Sequence, residues 1–382
     1  MMTPSQDPAV PAVHTPRAFT CRCGRPVFFR NSQCLGCGRP LGYEPEQRRL
    51  LVLEPAAAAA GEGVWREGGT ADDAPLYRRC INLGTAAACN WLLPGAQGDT
   101  GLCRCCRLTR TLPDLGSDNA ALWWNRIEVA KRRLVSSLIG LRLPLRNKVE
   151  DPARGLVFDL LLSPVGGPPV VTGHLHGVIT LDAQEADDAW REAHRTALAE
   201  PYRTLLGHLR HESGHYYWQR LVDGSPWIEP WRAVFGDERQ DYGAALQRHH
   251  AQGAPADWAQ HFVSAYASSH PWEDWAESWA HYLHMVDTLD TARSFGVDAA
   301  RAELEYERFG PDVLTEPGDD GGGAFLDLLN HWIELTGMLN EFSRSMGVAD
   351  FYPFVLSAPA VRKLHLVHRI IAAAPAADAP PA

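Results

Sequence analysis

His211-Glu212-Ser213-Gly214-His215 is the stretch of this chain whose residue types and spacing most directly imply chemistry. Read as His-Glu-x-x-His on a helix, it sets His211 and His215 four residues apart, one above the other on one face. Two imidazoles so placed can share one metal ion. Glu212, next round the helix, can reach a water on that ion as a general base. A catalytic zinc site takes three protein ligands and keeps a further position for water. The stretch from His270 to Tyr282 offers the third, because Glu273 and Glu277 are again four apart and share a face. One of them can bind the metal while the other accepts the hydrogen bond that fixes a ligand histidine's tautomer. Spacing alone leaves open which does which.

Two helices must carry these groups. The first is expected to open near Pro201, where a missing N–H costs little. It runs through Leu205, Leu206, Gly207, Leu209, Gly214 and Tyr216 as an apolar face, and stops at Asp223-Gly224-Ser225-Pro226. The second buries Trp272, Trp275, Trp279 and Leu283. From His215 to Glu273 is 273 − 215 = 58 positions, so an inserted segment crosses between the helices. It holds the Trp- and Pro-containing stretch Asp223 to Gln240 and the pair His249-His250, and reads as a cleft wall or lid.

His-Glu-x-x-His followed by Glu273-Asp274-Trp275-Ala276-Glu277-Ser278-Trp279 resembles the gluzincin zinc peptidases, including the anthrax lethal factor type. The resemblance implies a zincin-like fold with Glu273 as the third zinc ligand and Glu277 as the residue supporting a ligand histidine. It also implies a tyrosine seven positions before the ligand carboxylate that stabilises the tetrahedral intermediate. Here 273 − 7 gives Tyr266, whose phenol would donate to a developing oxyanion. More of the chain is similar to a bacterial family of zinc-binding metallopeptidases with an amino-terminal zinc ribbon. The stretches that carry this are Cys21 to Phe29, Cys34 to Gly38, Glu200 to His208, the histidine motif and His270 to Asp287.

All nine cysteines lie between Cys21 and Cys106. The amino-terminal stretch has no apolar segment of a secretory signal, which argues against a disulfide scaffold and for a cytoplasmic, metal-binding role. Cys21, Cys23, Cys34 and Cys37 form the first set. Cys34-x-x-Cys37 before Gly38 is a knuckle whose backbone N–H groups can turn toward sulfur. Cys80, Cys89, Cys103 and Cys106 form the second set, with Cys105 either a spare thiol or an alternative to Cys106. Each set predicts a closed structural zinc site.

Residues 1–115 hold 13 Arg, no Lys and 10 Asp or Glu, a formal +3 that two zinc tetrathiolates would turn slightly negative. The whole chain stands at −10. Neither part is a basic platform, so duplex binding through phosphate contacts is not expected, and a protein partner suits the ribbon better. No run of 18 apolar residues suggests a membrane span.

The expected organisation is a disordered lead-in (1–19), a zinc ribbon (20–45) and a second Cys-rich segment with a flexible linker (46–115). A zincin-like domain (116–370) and a disordered tail (371–382) follow. Within the zincin-like part, Asn119 to Leu138 reads as a helix with Trp123, Ile127, Ala130, Leu134 and Leu138 on its apolar stripe. Arg126, Lys131, Arg132 and Arg133 fall off that stripe. Leu156 to Leu162 and Val170 to Leu181 read as strands split by a hairpin-like turn at Gly166 to Pro169. His174 and His176 then share one side of a strand, where a further metal site is conceivable but local partners are commoner. Ala186 to Ala199 reads as a solvated helix, and Leu326 to Met346 as a further helix.

The fold class expected is therefore α+β, mainly helical, with a small sheet and preceding zinc-ribbon modules. The function expected is a zinc metallopeptidase acting on peptide or protein, with Zn2+ held by His211, His215 and Glu273, Glu212 as base and Tyr266 at the oxyanion. Two rivals share these residues: a zinc-stabilised adaptor that only binds protein, and a zinc hydrolase of a non-peptide amide. An intact Glu212 argues against the adaptor, which has no need of a base.

Overall fold

A computed structural model describes residues 14–57, 60–95, 101–164, 166–197, 203–298, 304–314 and 322–375. It confirms the α+β class, and the chain divides into two compact units. Among the described residues, no helix is long and apolar enough to cross a membrane.

One unit is Thr15–Leu209 with Arg293–Phe295. It opens with the antiparallel pair β1 (Ala18–Thr20) and β2 (Pro26–Phe28). A five-stranded antiparallel sheet follows, made of β3 (Leu41–Glu44), β4 (Arg49–Pro55), β5 (Val64–Glu67), β6 (Leu76–Arg79) and β7 (Leu92–Pro94) in that order. A bridge between Tyr43 and Trp91 joins its two edges, and both rings are fully buried. Residues 68–75 form the loop between β5 and β6.

The same unit contains β8 (Thr109–Thr111), helix α1 (Ala120–Gly140), β9 (Val157–Leu161), β10 (Gly173–Leu175), β11 (Val178–Asp182) and helix α2 (Asp188–Ala197). The sheet order is β10-β11-β9-β8. The β8–α1–β9 crossover makes a parallel pair, and β11 is parallel to β9. The hairpin expected at Gly166 to Pro169 is therefore absent, since a tight turn cannot join parallel strands. The hairpin lies instead at His176-Gly177, both with positive φ, between antiparallel β10 and β11. His176 thus sits in a turn, and the His174 ring accepts the Gly177 N–H at 2.9 Å, the ordinary local role.

Order also begins earlier than the expected lead-in boundary. Arg17 is buried, donates to the hydroxyls of Ser136 and Ser137 on α1 (2.6 and 3.0 Å), and lies over the Phe29 ring. A guanidinium so held fixes the chain before β1. The expected lead-in up to residue 13 lies outside the described residues.

The other unit comprises Arg210–Ala292 and Gly296–Ala382, with His14. It contains most of α3 (Leu205–Leu221), then α4 (Ile228–Phe235), α5 (Tyr242–Gln252), α6 (Pro271–Ser294), α7 (Gly322–Ser345) and α8 (Ala358–Ala372). The Pro201 start lies outside the described residues, and the first described turn of α3 begins at Leu205. Helix α8 buries Ile370 and Ile371, so the expected tail boundary at 371 falls inside a packed helix; residues 376–382 lie outside the described residues.

Helices α3 and α6 pack through the two positions that the histidine motif leaves free. A Cβ on Gly214 would lie 2.9 Å from the Ala276 Cα, closer than real contacts allow, and 3.2 Å from the Trp279 Cβ. Trp275 Nε1 donates to the Gly214 carbonyl at 2.8 Å and Trp279 Nε1 to the Ser213 hydroxyl at 3.1 Å. The buried indoles Trp275 and Trp279 supply the hydrophobic contact, and their N–H groups find the partners that burial demands.

Candidate metal centre

Because α6 docks on Ser213 and Gly214, the remaining motif residues face its carboxylates. His211, Glu212, His215 and Glu273 are all buried. His211 Nε2 and His215 Nε2 stand 3.2 Å apart. Glu273 brings Oε2 to 3.0 Å from His211 Nε2 and Oε1 to 3.5 Å from His215 Nε2. One donor atom from each of the three lies within 4.8 Å of the other two.

Glu277, one turn on, goes elsewhere. Its Oε1 lies 2.7 Å from His211 Nδ1, and its Oε2 accepts from the Ser264 hydroxyl at 2.6 Å. So the two carboxylates that spacing could not separate address opposite nitrogens of one imidazole. Glu273 faces the nitrogen that looks at His215, and Glu277 the nitrogen that looks away. Among the described residues no carboxylate meets His215 Nδ1, and its ring lies against Trp272 with centroids 4.2 Å apart.

The charges of the cluster are tightly coupled. Burial opposes ionisation of Glu273 and Glu277, yet the histidines hold Glu273 well below its ordinary range, and His211 with Ser264 brings Glu277 down to about 2. Burial likewise opposes charge on His211, but the two carboxylates hold its pKa well above the usual value. Two converging imidazoles and the Glu273 carboxylate are a donor set of the His2Glu type suited to zinc.

Tyr266 begins a short helical turn ahead of α6. Its ring stands 6.0 Å from that of His211 and 5.9 Å from that of His249. Three neighbours escaped the sequence reading. Tyr242, at the start of α5, donates its hydroxyl to Glu273 Oε1 at 2.7 Å. Ser264 supports Glu277. Lys363 of α8 lies 2.6 Å from Asp274, donates to the His261 carbonyl at 2.7 Å and covers the Phe262 ring, so it ties the start of α6 to the loop leading to Tyr266. Each acts across a long sequence separation and belongs to no local motif.

The cysteines gather into the two expected sets, and all nine are free. In the first, Cys21 pairs with Cys37 and Cys23 with Cys34, both at 3.7 Å between sulfurs. Gly38, at φ +73°, turns its N–H to the Cys34 carbonyl, and the N–H groups of Cys37 and Gly36 lower the Cys34 pKa to about 6. Backbone donors aimed at a sulfur favour its thiolate, the form a metal binds.

In the second set, the Cys89 and Cys103 sulfurs are 3.6 Å apart, while the N–H groups of Cys103 and Cys106 point at the sulfurs of Cys80 and Cys103. Cys106, rather than Cys105, joins this cluster. Burial raises the Cys105 pKa well above its usual value, which keeps it a thiol. Helix α1 lies against both ligand-bearing loops. Asn125 and Arg132 donate to the carbonyls of Ala86 and Ala87 (2.7 and 3.0 Å), and Lys131 reaches Glu128 at 2.6 Å and the Thr109 hydroxyl. Lys131 and Arg132, which fall off the apolar stripe, are nevertheless buried.

Comparison with known proteins agrees with this division of donors. Residues 120–370 match the family described as "Putative zinc-binding metallo-peptidase", and residues 18–117 match a zinc-ribbon domain that embraces both cysteine sets. Relatives include an uncharacterised protein of Mycobacterium bovis and counterparts from two strains of Mycobacterium tuberculosis. Each is 42% identical over 357 residues, covering 93% of this chain and 95% of the relative. No solved structure matches.

Proposed function

The chain belongs to this family of zinc-binding metallopeptidases, and from that premise we propose that it hydrolyses peptide bonds. The observation that carries the reading is the convergence of His211, His215 and Glu273 with Glu212 beside them on α3. His211 and His215 would hold zinc through Nε2 and Glu273 through a carboxylate oxygen. Zinc bound there supplies a Lewis acid that polarises a carbonyl and acidifies a water.

The chain's own residues do the rest. Glu212 takes the water's proton as the peptide carbonyl is attacked, then returns it to the leaving amine. Tyr266 donates to the oxygen on which charge develops. Glu277, fixed by Ser264, orients His211 through Nδ1. The two cysteine sets hold structural zinc, for three ions in all. The substrate is a peptide or protein, the ribbon is free to take a protein partner, and nine unpaired thiols suit the cytoplasm.

Glu212→Gln removes the base and leaves all three ligands. A peptide-library digest should show cleavage by the wild type and none by the variant, with the zinc content of the two equal. Near-normal cleavage by the variant would sink the mechanism. A zinc-loaded wild type that cleaves nothing would sink peptidase activity itself.

A further inference from the structure

We propose that Tyr242 is the positioning residue for the third ligand, so that α5, inserted between the second histidine and Glu273, sets the affinity of the metal centre. This rests on reading His211, His215 and Glu273 as the zinc site. The Tyr242 hydroxyl donates to Glu273 Oε1 at 2.7 Å, while Oε2 is the oxygen 3.0 Å from His211 Nε2. A carboxylate with one oxygen engaged by a phenol presents the other to a metal and loses its freedom to rotate.

The ring of Tyr242 is fixed in turn. It stands edge-on to Trp272 and to His270, with centroids 5.8 and 5.2 Å away, and Trp272 is the ring that lies on His215. One tyrosine therefore meets the ligand carboxylate through its hydroxyl, and through its ring the indole that covers a ligand imidazole.

The helix that carries it is anchored from both sides. Asp241 caps α5 by accepting the Ala244 N–H at 2.9 Å. His270, at the entry to α6, accepts the Trp272 N–H on Nδ1. Its Nε2 must then carry the proton, and it donates to the Gln240 carbonyl at 3.2 Å. Two turns along α5, His249 lies on the same side and meets the Tyr266 ring at 5.9 Å. The inserted segment is thus a wall of the centre that contacts both the third ligand and the oxyanion tyrosine.

Tyr242→Phe deletes only the hydroxyl. The catalytic equivalent of metal is the one that Glu273→Ala loses, and its affinity is read by chelator competition. Tyr242→Phe should weaken that equivalent about 10–100-fold, as loss of a partner that orients a ligand does. It should also shift the visible spectrum of the cobalt-substituted protein, because the ligand oxygen is no longer held. Tyr266→Phe should leave both readings unchanged. Should Tyr242→Phe not fold, Tyr242→Met, whose flexible side chain fills irregular gaps, carries the same expectation. Affinity within about two-fold of the wild type, or weaker binding with an unaltered cobalt spectrum, overturns the proposal. A wild type that holds no metal at His211, His215 and Glu273 overturns the zinc-site reading on which it rests.

Discussion

The two cysteine sets have the same donors and opposite surroundings. In the first, Cys23 and Cys37 are exposed at the tips of turns, so water can balance the charge of a metal tetrathiolate. In the second, all four cysteines are buried, and a zinc tetrathiolate there would place a net double negative charge out of reach of water. Helix α1 supplies the answer. Glu128 and Lys131 neutralise each other, and Arg132 remains as a buried cation that makes no ion pair among the described residues. Burial opposes its charge, yet the neighbouring Cys89 and Cys106, as thiolates, hold its pKa above the usual value. The comparison shows which donor set is fused to the rest of its unit: α1 starts the segment matching the peptidase family and sets one buried positive charge against a site in the segment matching the ribbon.

The comparison can be broken most decisively at Cys103. Structural zinc in small domains contributes about 10–16 kcal/mol, so Cys103→Ser should abolish the cooperative melt of this unit, read by circular dichroism beside metal analysis. A variant that melts like the wild type would mean that the buried set is dispensable.

Next in size is Arg132→Met, which leaves a buried anion unbalanced. It should cost about 3–5 kcal/mol in denaturant unfolding of the zinc-loaded protein. A cost below about 1 kcal/mol would mean that the arginine is no counter-charge. Cys37→Ser, in the exposed set, should release its zinc with only a modest fall in melting temperature, and the catalytic equivalent should survive. If it unfolds the protein as Cys103→Ser does, the two sets are equal after all. The mildest change is Asn125→Ala. It removes the 2.7 Å bond to the Ala86 carbonyl at the solvent edge of the same contact, and should cost about 0.5–1.5 kcal/mol.

What the sequence revealed of the centre was what lay within one turn of helix. His211, Glu212 and His215 are a local pattern, as are the cysteine knuckles, and their spacing is their geometry. Glu273 and Glu277 were legible as a pair, but their roles depend on how α6 docks, which Gly214 and Ser213 decide. Tyr242 stands 31 positions before Glu273 and obeys no spacing rule, so only tertiary packing reveals it. The burial of Lys131 and Arg132 could not be read from the apolar stripe, because it depends on the Glu128 carboxylate and on cysteines that the fold brings beside them. The parallel order of β9 and β11 was hidden because alternation marks a strand and says nothing of its partner.

The indole of Trp272 lies on His215 with 4.2 Å between ring centres, and Trp218 stands 6.3 Å beyond it. That cluster of tilted and edge-on rings makes the centre a source of light as well as a place for a metal. Zinc, with a filled d shell, has no electronic transition to accept the excitation of an indole. Cobalt, which absorbs visible light, does. Replacing one ion by the other at His211 and His215 should dim the emission of Trp272 before any substrate is known, so the protein carries its own fluorescent gauge of occupancy.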